Sequence, residues 1–124
     1  GRGIARTYFK LTEREASARE LADMAREGDE QAFETWQEFA RNTAVSVAWL
    51  SNTGDPDVFV LGGSIAKAWD LFGETLVREA RKYINEVTRN ALRIVPAELG
   101  DAAGMLGAAA LVLQPDPADF LPNE

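Results

Sequence analysis

Two adjacent glycines followed by a serine are the first candidates for chemistry in the sequence. Gly62, Gly63 and Ser64 follow the short apolar run Val58–Leu61 and precede a helical pattern that starts at Ile65. Glycines at such a junction let backbone N–H groups approach a ligand that a Cβ would exclude. A helix that begins there adds the positive end of its dipole, which favours an anion. Spacing alone favours a simple bend over a ligand site, and both interpretations stay open at this point.

The composition removes several other kinds of site. The chain of 124 residues contains no His, and its 13 basic residues face 20 acidic ones, for a net charge of −7. It also contains no Cys, so disulfides, thiolate chemistry and most zinc sites are excluded. The acidic balance works against binding to nucleic acid. We assign no catalytic and no metal-binding residue, and we find neither a P-loop nor a G-x-G-x-x-G pattern.

Chain length and hydrophobicity indicate one globular unit. Hydrophobic residues make up 46% of the 124 positions, enough for a core without disulfides. No apolar run reaches the length of a membrane span, and no signal peptide is recognisable, so we expect a cytoplasmic protein without membrane contact.

Hydrophobic periodicity and capping residues predict helices around a short sheet. Ser17 and Asp29 are expected N-caps, and Ser64 is a third. Gly73 is expected to kink or split the helix that follows Ser64. The expected helices and strands are Gly3–Lys10 (helix), Ala18–Glu27 (helix), Asp29–Asn52 (helix), Val58–Leu61 (strand), Ser64–Tyr83 (helix), Leu92–Ala97 (strand) and Leu99–Leu113 (helix). Residues Gln114–Glu124, with three prolines, are predicted to form a loose tail.

The alternation of strands and helices predicts two parallel neighbouring strands. They would be joined by a right-handed crossover. The continuous apolar character of Val58–Leu61 predicts a strand buried on both faces, yet the sequence offers this strand only one neighbour. An unpaired apolar edge favours pairing with a second chain, and we therefore expect a homo-oligomer.

Four segments resemble, in order and spacing, the C-terminal part of ROK family proteins, which comprise sugar kinases, open reading frames and repressors. The segments are Gly1–Arg6 (GRGIAR), the Gly28-Asp29 junction, Asp55–Ala66 (DPDVFVLGGSIA) and Leu99–Leu111 (LGDAAGMLGAAAL). The resemblance implies an α/β fold, the C-terminal portion of an actin-like ATPase (ribonuclease H-like) lobe with helices on a short parallel sheet. It assigns residues 1–113 to the nucleotide-side lobe and residues 114–124 to a tail.

The resemblance also implies a function for the glycines. By analogy with glucokinase-like members, Gly62, Gly63 and Ser64 would bind ATP, which acts with Mg²⁺ in the full-length parent. The Asp-x-Gly phosphate loop, the catalytic Asp and the zinc motif of family kinases have no counterpart in these 124 residues. We therefore interpret the chain as a fragment, inactive by itself, whose parent contacts its sugar through residues outside the chain.

Two alternatives to the kinase remain. The parent could be a ROK-type sugar-responsive repressor, in which case this segment would sense ligand and form the dimer. The chain could also be a helical association module that uses exposed apolar faces. Trp36, Trp49 and Trp69 lie on apolar stripes and are expected in the core or at an interface with another lobe.

Overall fold

The computed structural model describes residues 2–98 together with residues 102, 105 and 109. Within residues 2–98 the chain forms five α-helices, one 3-10 helix and two strands. In chain order they are α1 (Arg2–Thr12), α2 (Ala18–Arg26), α3 (Glu30–Gly54), β1 (Val58–Leu61), the 3-10 helix (Ser64–Ala68), α4 (Trp69–Arg81), α5 (Glu86–Ala91) and β2 (Arg93–Pro96). The predicted helix Leu99–Leu113 and the tail Gln114–Glu124 lie outside the described residues, apart from three helical positions at 102, 105 and 109.

Local capping explains where the helices begin. At α2, the Glu20 backbone N–H donates to Ser17 Oγ at 3.2 Å, and the Ser17 N–H donates to Glu20 Oε2 at 2.7 Å. At α3, the N–H of Ala32 donates to Asp29 Oδ1 at 2.8 Å. Each cap satisfies backbone donors that have no acceptor inside the helix. Two of the three predicted N-caps, Ser17 and Asp29, are therefore confirmed.

The core lies where α3 crosses α4, with α1 and α2 packed on the remaining sides of α3. Ala40, Ala44 and Ala48 are buried along one face of α3, and their small side chains allow a close approach of the neighbouring helix. Next to them, the Trp36 indole stacks on Phe72 of α4 with ring centroids 5.7 Å apart. Burial of these aromatic and aliphatic groups supplies the main driving force for packing the two helices.

The three tryptophans occupy different environments. Trp36 is buried and Trp69 is half-buried against Phe72, as expected for core positions. Trp49 is 75% exposed, so it does not lie in the core of the described residues, and the alternative that it lies at an interface with another lobe stays a prediction. Spacing cannot separate the two edges of an apolar stripe, and Trp49 lies on the outer edge of α3.

Gly73 does not split its helix, which was one of the two effects expected of it. It lies inside α4, which runs unbroken from Trp69 to Arg81. A Cβ at Gly73 would stand 2.3 Å from Cε2 of Trp69, so the indole lies directly across the glycine. The glycine therefore makes room for the tryptophan that starts the same helix.

The two strands pair in parallel, as the sequence predicts, with Val58 opposite Arg93 and Leu61 opposite Pro96. The expectation of a strand buried on both faces is wrong for the described residues. Val58 and Val60 point away from the core, and Val60 is 60% exposed. Phe59 and Leu61, on the opposite face of the strand, are half-buried and pack against the core.

A polar network fastens the end of α3 to α5. Asp55 ends α3 in the left-handed conformation and accepts a hydrogen bond from Thr88 Oγ1 at 2.6 Å. Asn52 accepts from the N–H of Asn85 at 3.0 Å, and Asn85 in turn caps α5 through the N–H of Thr88. The short helix α5 was not predicted, although Asn85 followed by Glu86 is a helix-start signal.

Membrane insertion of a helix is not indicated. None of the helices among the described residues is long and apolar enough to cross a bilayer.

Candidate functional site

The turn after β1 lies at the carboxyl end of the parallel sheet. The N–H of Ala97 donates to the carbonyl of Leu61 at 2.8 Å, which closes the ladder immediately before Gly62. Gly62, Gly63 and Ser64 then leave the sheet and are exposed. Ligands of open parallel α/β sheets bind at this end of the strands. The three residues predicted to bind a cofactor are therefore contiguous and accessible.

The two glycines differ in what an added side chain would meet. Gly63 has φ +79° and ψ −175°, a region that is essentially restricted to glycine. Gly62 has no such φ, and a Cβ on it would make ordinary contact with Cβ of Ala97 at 3.8 Å. The backbone conformation therefore requires glycine at 63. At 62 the described structure leaves room for a Cβ, so glycine is not needed there for folding.

Ser64 is not the N-cap that the sequence predicts. It is the first residue of the 3-10 helix, whose N-cap is Gly63 without a side-chain hydrogen bond, and α4 begins only at Trp69. A helix of this length has a smaller dipole than a full α-helix, so it attracts an anion less than the sequence predicts. The open backbone of the turn remains as the reason to expect a ligand.

A cleft of about 480 Å³ opens beside Ser64, between α2 and the 3-10 helix. Its base includes Ala22 and Ala68, which are buried. Its polar lining side chains are Arg19, Asp23, Arg26, Ser64 and Lys67. Small apolar groups at the base and a mostly cationic rim suit a flat, anionic ligand of nucleotide size.

Arg26 ties the two walls of the cleft together. Its Nε and Nη2 donate to the Asp70 carboxylate at 2.9 Å and 2.8 Å, and Nη2 also donates to the carbonyl of Lys67 at 3.0 Å. The bidentate pair lowers the pKa of Asp70 and raises that of Arg26, because their side-chain hydrogen bonds favour both charged forms. Arg26 and Asp70 are therefore both charged at neutral pH.

Sequence reasoning missed the contribution of α2 to this site. The acidic residues near α2, Asp23 among them, look like an ordinary solvated helix face, and nothing in the sequence links Arg26 to Asp70. The pairing depends on how α2 packs beside the start of α4, which a single sequence does not specify. Only the i, i+4, i+7 spacing of Arg19, Asp23 and Arg26 indicates that they share one face.

No residue of this site is assigned to a metal. Among the residues that the structure describes, no group of three or more Asp or Glu side chains lies close enough to hold an ion.

Sequence comparison connects the chain to sugar kinases. The sequence profile of the ROK family matches residues 1–115. A glucokinase of Streptomyces coelicolor is 31% identical over 94 residues, which are 75% of this chain and 30% of that protein. An N-acetyl-D-glucosamine kinase of Haemophilus influenzae is 33% identical over 113 residues, which are 91% of this chain and 36% of that protein. The chain spans about a third of the length of these curated relatives.

Structural comparison gives the same relatives. A ROK family glucokinase from Streptomyces griseus, solved in complex with glucose and AMPPNP, has a TM-score of 0.71 at 26% identity over 88% of this chain and 36% of that one. A protein of Cytophaga hutchinsonii assigned as a sugar kinase has a TM-score of 0.76 at 28% identity over 90% of this chain and 40% of that one. The predicted fold class, the C-terminal portion of an actin-like ATPase lobe, is confirmed.

Proposed function

The chain belongs to the ROK family, and from that premise we propose that it is the nucleotide-binding part of an ATP-dependent sugar kinase. The observation that carries the proposal is the exposed Gly62-Gly63 turn at the carboxyl end of β1, which opens beside a cleft with a cationic rim. In this proposal residues 1–113 form the nucleotide-side lobe and residues 114–124 its tail.

The site's own groups suit the nucleotide. The exposed backbone of Gly62 and Gly63 would lie against it without a Cβ in between, with the Ser64 hydroxyl beside them. The cleft between α2 and the 3-10 helix is large enough for the nucleoside. Because Asp70 offsets the charge of Arg26, Arg19 and Lys67 are the rim cations that would favour the attached phosphates. ATP bound there would supply the phosphoryl group that a sugar hydroxyl accepts.

Phosphoryl transfer also needs groups that we do not find in this chain. Positioning the donor, the acceptor, a metal ion and a base together provides most of the rate enhancement in such reactions. We assign neither a base nor a Mg²⁺ ligand among the described residues. We therefore propose that Mg²⁺ and the sugar are held in the longer protein, and that the chain alone is inactive.

A coupled ADP-release assay tests this proposal. The longer protein that contains the chain should phosphorylate glucose or N-acetyl-D-glucosamine with ATP, the sugars named for the relatives above. The isolated 124-residue chain should give no turnover above the blank. Turnover by the chain near the rate of the longer protein would overturn the proposal that the catalytic base and the ligands of Mg²⁺ and sugar lie outside the chain. Absence of ATP-dependent turnover in both, with every hexose and amino sugar tried, would overturn the kinase.

The repressor alternative has less support. The relatives and solved structures reported above are kinases, one of them solved with a nucleotide analogue. No observation on the described residues favours ligand sensing without phosphoryl transfer. The kinase therefore remains the function that the site supports best.

A further inference from the structure

The ion pair between Arg26 and Asp70 spans the walls of the cleft rather than lying along one of them. Arg26 is the last residue of α2, Asp70 is in the first turn of α4, and Lys67, whose carbonyl Arg26 also contacts, is in the 3-10 helix. One guanidinium therefore fixes α2 against both elements that follow the Gly62-Gly63 turn.

The pair is better suited to orientation than to overall stability. The side chains of Arg26 and Asp70 are 41% and 55% exposed, and ion pairs with this exposure add little to the free energy of unfolding. Their geometry is nevertheless specific, because two parallel N–H···O bonds and a third to a carbonyl fix the guanidinium plane. Such an arrangement fixes the distance between α2 and the 3-10 helix, and it adds little to the stability of the core.

We infer that Arg26 and Asp70 are positioning residues that set the width of the nucleotide cleft. The inference rests on the proposed function. The pair holds α2, which forms one wall of the cleft, at a fixed position relative to the elements that follow the exposed turn at Gly62 and Gly63. Loosening the pair lets α2 move away from the 3-10 helix, and the nucleotide then loses contact with one wall.

The test uses the longer protein and measures the KM for ATP, the KM for sugar, kcat, the Kd for AMPPNP and the melting temperature. Asp70→Asn and Arg26→Lys should each raise the KM for ATP and the Kd for AMPPNP about tenfold, since small misplacements around a bound substrate cost factors of this order or more. The KM for sugar and the melting temperature should stay close to wild type. The reversed double variant, Arg26→Asp with Asp70→Arg, should recover part of the lost affinity.

Glu79→Gln is the matched control. Glu79 is also an ion-paired carboxylate of α4, bonded to Lys82 at 2.6 Å, but it does not line the cleft. Its loss should leave the Kd for AMPPNP unchanged.

Four outcomes would count against the inference. Wild-type affinity in both Arg26→Lys and Asp70→Asn would overturn it. So would a lower melting temperature and a lower kcat together with higher KM values for both substrates, which is the result expected of a purely structural role. If Gly62→Ala weakens AMPPNP binding while the pair variants do not, the inference fails and the proposed function survives. If the wild-type protein does not bind AMPPNP, both fail.

Discussion

Gly62 and Gly63 look equivalent in the sequence, but the structure gives them different reasons for being glycine. Gly63 adopts a backbone conformation that costs other residues about 1–3 kcal/mol, so any substitution there changes folding and ligand approach together. Gly62 has an ordinary backbone conformation and only a 3.8 Å neighbour for a new Cβ. Gly62→Ala therefore probes ligand approach alone, whereas a variant such as Gly63→Val does not.

The Asp70 carboxylate should make the free energy of unfolding depend on pH in the acid range. Its pKa is lowered in the folded chain by the hydrogen bonds from Arg26, which also contacts Asp23 of α2 and the Lys67 carbonyl. A lowered folded-state pKa means that the stabilisation is complete above the ordinary Asp value of about 3.9 and is lost as pH falls through the lowered value.

Urea unfolding of wild type and Asp70→Asn at a series of pH values measures this contribution. The difference in unfolding free energy should be small, because the pair is largely exposed. It should be constant from neutral pH to about pH 5 and shrink below about pH 4, where the Asp70 carboxyl of the unfolded chain takes up its proton before that of the folded chain. A difference that does not change down to the lowest pH would mean that the ion pair adds nothing to folding.

At the scale of elements, the helices were predictable because their signals are local. The Ser17 and Asp29 caps and the stripe of alanines on α3 depend on residues within one or two turns. The 3-10 helix was missed because Ser64 is an equally good cap for an α-helix, and the start of α4 depends on tertiary packing such as that of Phe72 against Trp36 and Phe39 of α3.

The site was predictable only in part, for the same reason. Gly62, Gly63 and Ser64 form one continuous stretch, and a pattern in the sequence identifies them. The opposite wall of the cleft comes from α2, and its link between Arg26 and Asp70 joins residues 44 positions apart. Contacts at this separation follow from tertiary packing and produce no periodic pattern in the sequence.

Gly73→Ala tests the packing of α4, because its expected effect on the free energy of unfolding is opposite to the usual effect of this substitution in a helix. Replacing glycine inside a helix normally stabilises it by up to about 1 kcal/mol. Here the new Cβ would collide with the Trp69 indole at 2.3 Å and disturb its edge contact with Phe72, so we expect a loss of about 1–3 kcal/mol. Urea unfolding measures the change in free energy of unfolding.

Gly3→Ala provides the control for this variant. It adds the same methyl group to α1, where nothing lies within 4 Å, and should leave stability equal or raised. A Trp69→Leu background should reduce the cost of Gly73→Ala. Equal stabilisation by both glycine substitutions would show that the indole moves aside freely.

At the scale of the whole molecule, the exposed face of β1 predicts self-association. Val58 and Val60 lie on a face that the described residues leave open, on a sheet of two strands in which β1 has a free edge. Open apolar strands pair readily with other chains. The 124-residue chain should therefore form dimers or larger species as its concentration rises, and Val60→Lys should shift it toward monomer.

Analytical ultracentrifugation over a concentration series measures this association. Asn42→Lys adds the same charge on the exposed part of α3 and serves as the control, which should associate like wild type. A wild-type chain that stays monomeric at all concentrations and melts cooperatively would show that the two-stranded unit needs no further partner.

Calorimetric titration with AMPPNP measures whether a nucleotide binds at the turn after β1. The longer protein should bind the analogue. Gly62→Ala should raise the Kd at least about tenfold, because the new Cβ occupies the path of the nucleotide. Gly3→Ala should bind like wild type. Equal affinity of wild type and Gly62→Ala, with Gly3→Ala also unchanged, would place the nucleotide elsewhere and contradict the account.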